Sequence, residues 1–216
     1  ATHFEGEPGC ERMVRMEQPD GRRTLFAGAA GEERMVKGID PDGGTTYYEG
    51  ESGHERRVRM EWRGSTVHYD GARGSERMVQ VVRPDGSTTD YEGDKGAERM
   101  VRSSKPDGRV ILFVGPRGAE RMVRVHRQNA PSGAGVVDFT GPSGAERITR
   151  MEWPDGRVSH YEGDTERLVR MEWPDGRVGL FEGEAGHERI VSLQPESGHD
   201  PAAEVRRSLS PQPMQA

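Results

Sequence analysis

One unit, repeated nine times, constrains this chain more than any other feature, because self-similarity at a fixed period is the mark of a repeat architecture. An aromatic residue followed by any residue and glycine marks each copy: Phe4, Phe26, Tyr48, Tyr69, Tyr91, Phe113, Phe139, Tyr161 and Phe181. The intervals are 22, 22, 21, 22, 22, 26, 22 and 20 residues. A Glu-Arg pair recurs on the same period, at Glu11-Arg12, Glu33-Arg34, Glu55-Arg56, Glu76-Arg77, Glu98-Arg99, Glu120-Arg121, Glu146-Arg147, Glu166-Arg167 and Glu188-Arg189. Pro-Asp-Gly recurs six times, beginning at Pro19, Pro41, Pro84, Pro106, Pro154 and Pro174. The array is read as residues 1–193, with a longer loop at 126–135, followed by an extended or partly disordered C-terminal tail at 194–216.

Each unit reads as a β-hairpin. In the first arm Val58, Met60 and Trp62 alternate with Arg57, Arg59 and Glu61, the period of a half-buried strand. Pro-Asp-Gly then turns the chain, with proline presetting the first turn residue and glycine accepting the left-handed one. The second arm ends on the aromatic. Two glycines three residues apart, such as Gly28 and Gly31 or Gly93 and Gly96, join one unit to the next. Both connections are short, so consecutive strands are expected to be antiparallel neighbours. The expected fold is all-β: tandem hairpins of about 22 residues in an elongated or curled, solenoid-like meander. Some eighteen strands follow if every arm forms, and an open twisted sheet rarely exceeds about 10, so the array is expected to curl, coil or break.

Composition acquires its meaning from this order. Only 31% of residues are hydrophobic, against about 45–50% in ordinary globular domains. Alone that share points to disorder; in ordered columns it fits a thin core shared between stacked neighbours. It argues against a conventional three-layer enzyme. A mean hydropathy of -0.90 and the lack of a long apolar run argue against a transmembrane helix. The single cysteine, Cys10, excludes an internal disulfide and a cysteine-rich zinc site. A net charge of -6 argues against binding nucleic acid through bulk charge. The cations are nearly all arginine, with lysine only at 37, 95 and 105. The Glu-Arg column therefore reads either as a ligand-binding charge stripe or as a structural ladder in which Glu of one unit faces Arg of the next. The ladder is the expected reading, since such cross-strand pairs contribute a few tenths to about 1 kcal/mol each.

Tyr-Glu-Gly-Asp at Tyr91 to Asp94, with the Asp85-Gly86 turn, resembles MORN repeats. The spacing from Gly156 to Tyr161 and from Gly176 to Phe181 resembles the YD repeats of Rhs-type shells. Each pattern is matched in part: the Gly-to-aromatic spacing follows YD repeats and the Tyr-Glu-Gly triplet follows MORN repeats. The MORN resemblance implies hairpins in a single-sheet array with scaffolding, dimerisation or tethering roles. A YD shell that encloses cargo implies many more repeats than nine.

No phosphate-binding Gly-Lys-Ser/Thr loop or Gly-x-Ser-x-Gly elbow is present in the sequence. Cys10 falls in a turn where other units place His, Glu, Ser or Ala. His3, His68 and His160 share one column and His54 and His187 another, too far apart in the array to converge on a metal. The turn aspartates Asp20, Asp42, Asp85, Asp107, Asp155 and Asp175 form an acidic row, a Ca²⁺ candidate whose plainer explanation is turn geometry. Trp62, Trp153 and Trp173 are a candidate ligand or partner surface, for example for stacking on sugars, against the simpler role of covering hairpin ends. The expectation is a non-enzymatic structural or scaffold protein, without catalytic residues, cofactor or metal, that binds other proteins or copies of itself. A Ca²⁺- or carbohydrate-binding module is the alternative. Peripheral membrane contact has no positive signal in the sequence. The single cysteine, the lack of a visible targeting segment and a beginning in mid-repeat favour an intracellular soluble protein or a piece of a larger assembly.

Overall fold

The computed structural model describes residues 1–127 and 133–195. The expected tail from 196 onward and the centre of the longer loop, 128–132, lie outside the described residues. The rest forms eighteen strands, with no helix among the described residues. The chain divides into two compact units, Ala1–Val123 and Arg124 onward.

In the first unit the strands are β1 (Thr2–Glu5), β2 (Arg12–Glu17), β3 (Arg23–Ala27), β4 (Arg34–Ile39), β5 (Thr45–Glu49) and β6 (Arg56–Trp62). They continue as β7 (Ser65–Asp70), β8 (Arg77–Val82), β9 (Thr88–Glu92), β10 (Arg99–Ser104) and β11 (Arg109–Val114). The strand β12 (Arg121–Arg127) contains the division. In the second unit follow β13 (Val136–Thr140), β14 (Arg147–Glu152), β15 (Val158–Glu162), β16 (Arg167–Glu172), β17 (Val178–Glu182) and β18 (Arg189–Gln194). Within each unit consecutive strands pair antiparallel. The contacts between elements also run between consecutive strands, so each unit is a single-layer meander.

The Pro-Asp-Gly turns are five-residue connections. Gly21 N–H donates to Gln18 O at 3.0 Å, and Gln18 N–H donates to Arg22 O at 2.9 Å. The same pair of bonds recurs at the other five Pro-Asp-Gly sites. Besides β12–β13 with its longer loop, one hairpin departs from this pattern. Trp62 pairs directly with Ser65 across Arg63-Gly64, both at positive φ (49° and 76°). Between the equivalent pairs, Glu61–Thr66 here and Glu17–Arg23 in the usual turn, four residues intervene instead of five, which accounts for the interval of 21. Likewise the connection Gly163–Glu166 lacks two residues of the usual linker; Glu166 takes φ 52°, and the interval falls to 20.

The simple alternation expected for the first arm is interrupted by a bulge. His3 faces Arg15 while Phe4 faces Met13, which leaves Val14 unmatched. The same shift leaves Val36, Val58, Val79, Val101, Thr149, Val169 and Val191 unmatched. An extra residue bends the strand and raises its local twist. It also corrects the expected faces: Arg57 faces Tyr48 and therefore shares a side with Met60, not with Arg59. Its guanidinium lies 3.8 Å from the centre of the Tyr69 ring.

The core is a transverse row. In the second unit Val125, Val137, Met151, Ser159, Met171, Gly179 and Leu193 face one another in succession. Val81, Thr89, Ser103 and Ile111 hold equivalent places in the first unit. Val125, Val137, Ser159, Thr89 and Ser103 of these rows are buried. From Met151 to Leu193 large residues alternate with Ser159 and Gly179, and the Trp173 ring lies over Gly179. Tyr161 places its hydroxyl 3.6 Å from Met151 Sδ.

Candidate functional site

The glutamates of the Glu-Arg column act on the backbone, not on the next arginine. Glu33 accepts the Met13 N–H of the preceding unit at 3.1 Å and the Gly31 N–H of its own turn at 2.9 Å. On that side of β2 the pairing with β3 runs only from Arg15 to Glu17, so the carboxylate takes an N–H beyond the paired segment. The bond repeats from Met35 to Glu55 (2.9 Å), Met78 to Glu98 (3.2 Å), Met100 to Glu120 (3.2 Å), Ile148 to Glu166 (2.7 Å) and Leu168 to Glu188 (3.0 Å). Arg57 N–H reaches Glu76 more weakly, at 3.4 Å. Glu166 keeps the latch even in the shortened unit. Backbone N–H groups, each residue's own foremost, hold the carboxyls of Glu33, Glu55, Glu76, Glu98, Glu120 and Glu188 below the usual carboxylate range. Glu11, in the first copy, accepts the Gly9 N–H at 2.8 Å.

The arginines of the column also bind backbone. Arg12, Arg34, Arg77 and Arg99 donate to the carbonyls of Gly28, Gly50, Gly93 and Gly115, each 16 residues on, at 3.2–3.4 Å. Their other partners are the acids after the aromatics: Arg12 with Glu5, Arg77 with Asp70, Arg99 with Glu92 and Arg167 with Glu162. A further column was missed in the sequence: Arg73, Lys95 and Arg117 donate to the carbonyls of Gly53, Gly74 and Gly96 in the preceding unit. Its sequence signal is a cation between the two linker glycines. The aromatics stand where expected, on the second arm, and face Met13, Met35, Arg57, Met78, Met100, Ile148, Leu168 and Ile190 for Phe4, Phe26, Tyr48, Tyr69, Tyr91, Phe139, Tyr161 and Phe181. Phe113 lies in β11.

The turn aspartates are engaged by their own turns. Asp107, Asp155 and Asp175 accept the backbone N–H two residues on at 3.0–3.1 Å and the same arginine's Nε at 2.7 Å. Those backbone bonds hold the three carboxyls below their usual range. No group of three or more metal-ligating side chains comes together among the described residues.

The three tryptophans separate. Trp153 Nε1–H donates to Ser159 Oγ at 3.1 Å, inside its own hairpin. Trp173 covers Gly179, where a Cβ would meet its ring at 2.8 Å. Both close hairpin ends. Trp62 instead donates to Asp42 of the preceding unit at 3.0 Å, carries Arg63 4.2 Å above its ring, and is 42% exposed. It borders a shallow cleft of about 320 Å³ with Thr45, Glu61 and Ser65.

Opposite the core row lies a polar row that the sequence reading divided among separate columns. In the first unit it runs His3, Arg15, Leu25, Lys37, Tyr47, Arg59, His68, Gln80, Asp90, Arg102 and Leu112. In the second it runs Arg124, Asp138, Arg150, His160, Arg170, Leu180 and Ser192. Tyr47 lies between Lys37 and Arg59 (5.2 and 4.0 Å from the ring centre) and donates to Glu61 at 2.9 Å. Asp138 binds Arg124 Nε at 2.5 Å and Arg150 at 3.4 Å, and the Arg124 bond holds its carboxyl below the usual range. His160 and Arg170 share Glu172 at 3.0 and 3.1 Å. The fifth residue of each first arm, cationic in most copies, was the available sequence signal.

Neither a family model nor a curated protein matches this chain. Among solved structures it is similar to the one described as "Crystal Structure of TcdB2-TccC3", with 12% identity and a TM-score of 0.20. A second, "Crystal Structure of TcdB2-TccC3-TEV", gives 11% and 0.17. Both alignments cover 85% of this chain and only 12% of the other, and likeness at this level carries no inference about function. What the chain itself shows is a tandem antiparallel hairpin array. Among the described residues no helix is long and apolar enough to cross a membrane.

Proposed function

We propose that this chain is a non-enzymatic structural module that binds other proteins or takes part in assembly through the polar face of its sheets. The observation that supports this reading is the polar row: one strand residue after another, from Arg15 to Arg59 and from Arg124 to Arg170, on a single-layer sheet. The Glu-Arg column and the turn aspartates are occupied in holding the backbone, which leaves this row as the periodic surface. Its arginines are partly exposed, and planar guanidinium groups suit carboxylates of a partner. The partial resemblance to MORN repeats agrees with a scaffold role. The test is affinity capture with the chain and with an Arg59→Glu/Arg170→Glu variant whose circular dichroism is unchanged. Partners retained by the former and lost by the latter support the reading; identical retention overturns it.

A narrower second reading rests on Trp62, which alone of the three tryptophans is exposed beside a cleft. A glycan-array signal abolished by Trp62→Ala and kept by Trp153→Ala would support it.

A further inference from the structure

One stretch of the first unit's polar row differs from the rest. Between β2 and β6 the residues face one another in the order Arg15, Leu25, Lys37, Tyr47, Arg59. Three cations, on β2, β4 and β6, are separated by one apolar and one aromatic residue, and no acid interrupts them. Farther along the same row Gln80 takes the place of a cation and Asp90 faces Arg102. In the second unit Asp138 stands between Arg124 and Arg150 and binds both.

The three cations are open to a partner. Arg15 pairs with Glu17 at 3.5 Å and Arg59 with Glu61 at 3.3 Å, each on its own strand. The side chains of both pairs are 36–42% exposed, and exposed pairs contribute little, so a partner's carboxylate competes for the same arginines. Lys37 makes no ion pair among the described residues; its Nζ lies 5.2 Å from the centre of the Tyr47 ring, and the Arg59 guanidinium lies 4.0 Å from it. The Tyr47 hydroxyl is itself fixed by Glu61 at 2.9 Å. Cations already held against a ring lose less freedom when a ligand arrives.

Their spacing is selective. The cations lie two strands apart, so successive ones are about 9.6 Å apart across the sheet. A polyproline II helix completes a turn in three residues and rises about 9.3 Å in doing so. Every third side chain of such a helix meets the row, with about 0.6 Å of drift over two intervals. A β-strand presents same-face side chains about 6.7 Å apart, and an α-helix presents them about 10.8 Å apart after two turns, so both fall out of step.

We propose that the stretch from Arg15 to Arg59 binds a polyproline II segment of a partner protein that carries Asp or Glu at every third position. The inference rests on the reading of the polar face as an interaction surface and names the partner's chemistry. Carboxylates of the segment pair with Arg15, Lys37 and Arg59, and the residues between them lie against Leu25 and Tyr47. The polyproline II helix is preformed, so little order is lost on docking.

An NMR titration of the isotope-labelled full chain with two synthetic peptides tests this, at low ionic strength where exposed ion pairs are least screened. One peptide is three repeats of Glu-Pro-Pro and the other three repeats of Glu-Pro-Pro-Pro. Both carry three carboxylates, spaced about 9.3 Å and about 12.4 Å apart. Saturable shifts are expected at Lys37, Tyr47 and Arg59, with the three-residue period binding about 2–10-fold tighter. Lys37→Gln and Arg59→Gln, with unchanged circular dichroism, are each expected to weaken it about 2–5-fold, and Arg150→Gln to leave it unchanged. The absence of saturable shifts at these residues, equal affinity for the two peptides, or an equal loss with Arg150→Gln overturns the proposal. Partner capture is a separate readout. Partners lost from Arg59→Glu/Arg170→Glu, without period-dependent peptide binding, overturn this inference and leave the interaction reading standing.

Discussion

Replacing Gly93 by alanine places a Cβ 2.7 Å from the Ala97 carbonyl oxygen and 3.4 Å from Glu98 Cα, with a backbone φ of +115°. The contact is with backbone, so no side chain can swing away. The φ alone costs about 1–3 kcal/mol for a non-glycine residue. Relieving the contact pulls on the turn bond from Ala97 N–H to Asp94 O, 2.8 Å long and worth about 1 kcal/mol. The total is about 2–4 kcal/mol, of which a stiffer unfolded chain recovers about 0.4–1 kcal/mol, leaving about 1.5–3 kcal/mol. Gly96, three residues on, is the internal control: φ is +79° and a Cβ there meets nothing within 4 Å. Alanine at that site costs about 1–2 kcal/mol for the left-handed backbone and recovers about 0.4–1 kcal/mol from a stiffer unfolded chain, leaving about 1 kcal/mol. Hydrogen exchange read by mass spectrometry on peptides spanning residues 88–104 measures the local opening, which matters because repeat arrays need not unfold all at once. Gly93→Ala is expected to raise the opening constant about 2–30-fold more than Gly96→Ala, at about 1.4 kcal/mol per decade. Equal effects, or a larger one at Gly96, would refute the close-approach argument.

Gly179→Ala drives a methyl into the Trp173 ring, 2.8 Å away, and within 3.3 Å of the Phe181 ring; it is expected to cost about 1–3 kcal/mol by overpacking. The cost should shrink in a Trp173→Ala background, and an unchanged urea-denaturation cost there would show that the ring is not responsible. Acid should weaken the array. The carboxyls of Glu33, Glu55, Glu76, Glu98, Glu120 and Glu188, and of Asp107, Asp138, Asp155 and Asp175, are lowered in the folded chain. Their contribution is therefore complete above the unfolded carboxylate range and is lost as pH falls through the folded values. The urea midpoint is expected to stay level from about pH 8 to 5.5 and to drop below about pH 4.5; a midpoint that holds or rises on acidification contradicts this.

The fold was legible because it repeats. Pro-Asp-Gly at a fixed place in six copies announces a turn, and the glycine pairs announce the return, so strand number and antiparallel order follow from spacing alone. The bulge was not legible. Val14 and its counterparts look like ordinary members of an alternating strand, and only the pairing of Phe4 with Met13 and His3 with Arg15 shows that one residue is extra. That extra residue also hid the polar face by placing Arg57 with Met60 instead of with Arg59. The Glu-Arg column was visible, but its partners were misjudged. Adjacent opposite charges suggest side-chain pairing, whereas a carboxylate beside backbone N–H groups beyond a paired segment finds them first. The tryptophans look alike in sequence because each follows Met-Glu; the difference lies in what comes next, Pro-Asp-Gly after two of them and Arg63-Gly64 after Trp62, which is exposed at the tighter turn.

The central claim is that units are latched to their predecessors by glutamates that bind a main-chain N–H, as Glu33, Glu55, Glu98, Glu120, Glu166 and Glu188 do. Residue-resolved amide exchange of Met78 in the native chain and in Glu98→Gln tests it most directly. Glu98 accepts the Met78 N–H at 3.2 Å and the Gly96 N–H at 2.8 Å. The account predicts that Met78 exchanges markedly faster in the variant, while Val81 and Thr89, facing each other in the neighbouring core row, keep their protection. Unchanged protection at Met78, or an equal loss at all three residues, would contradict it.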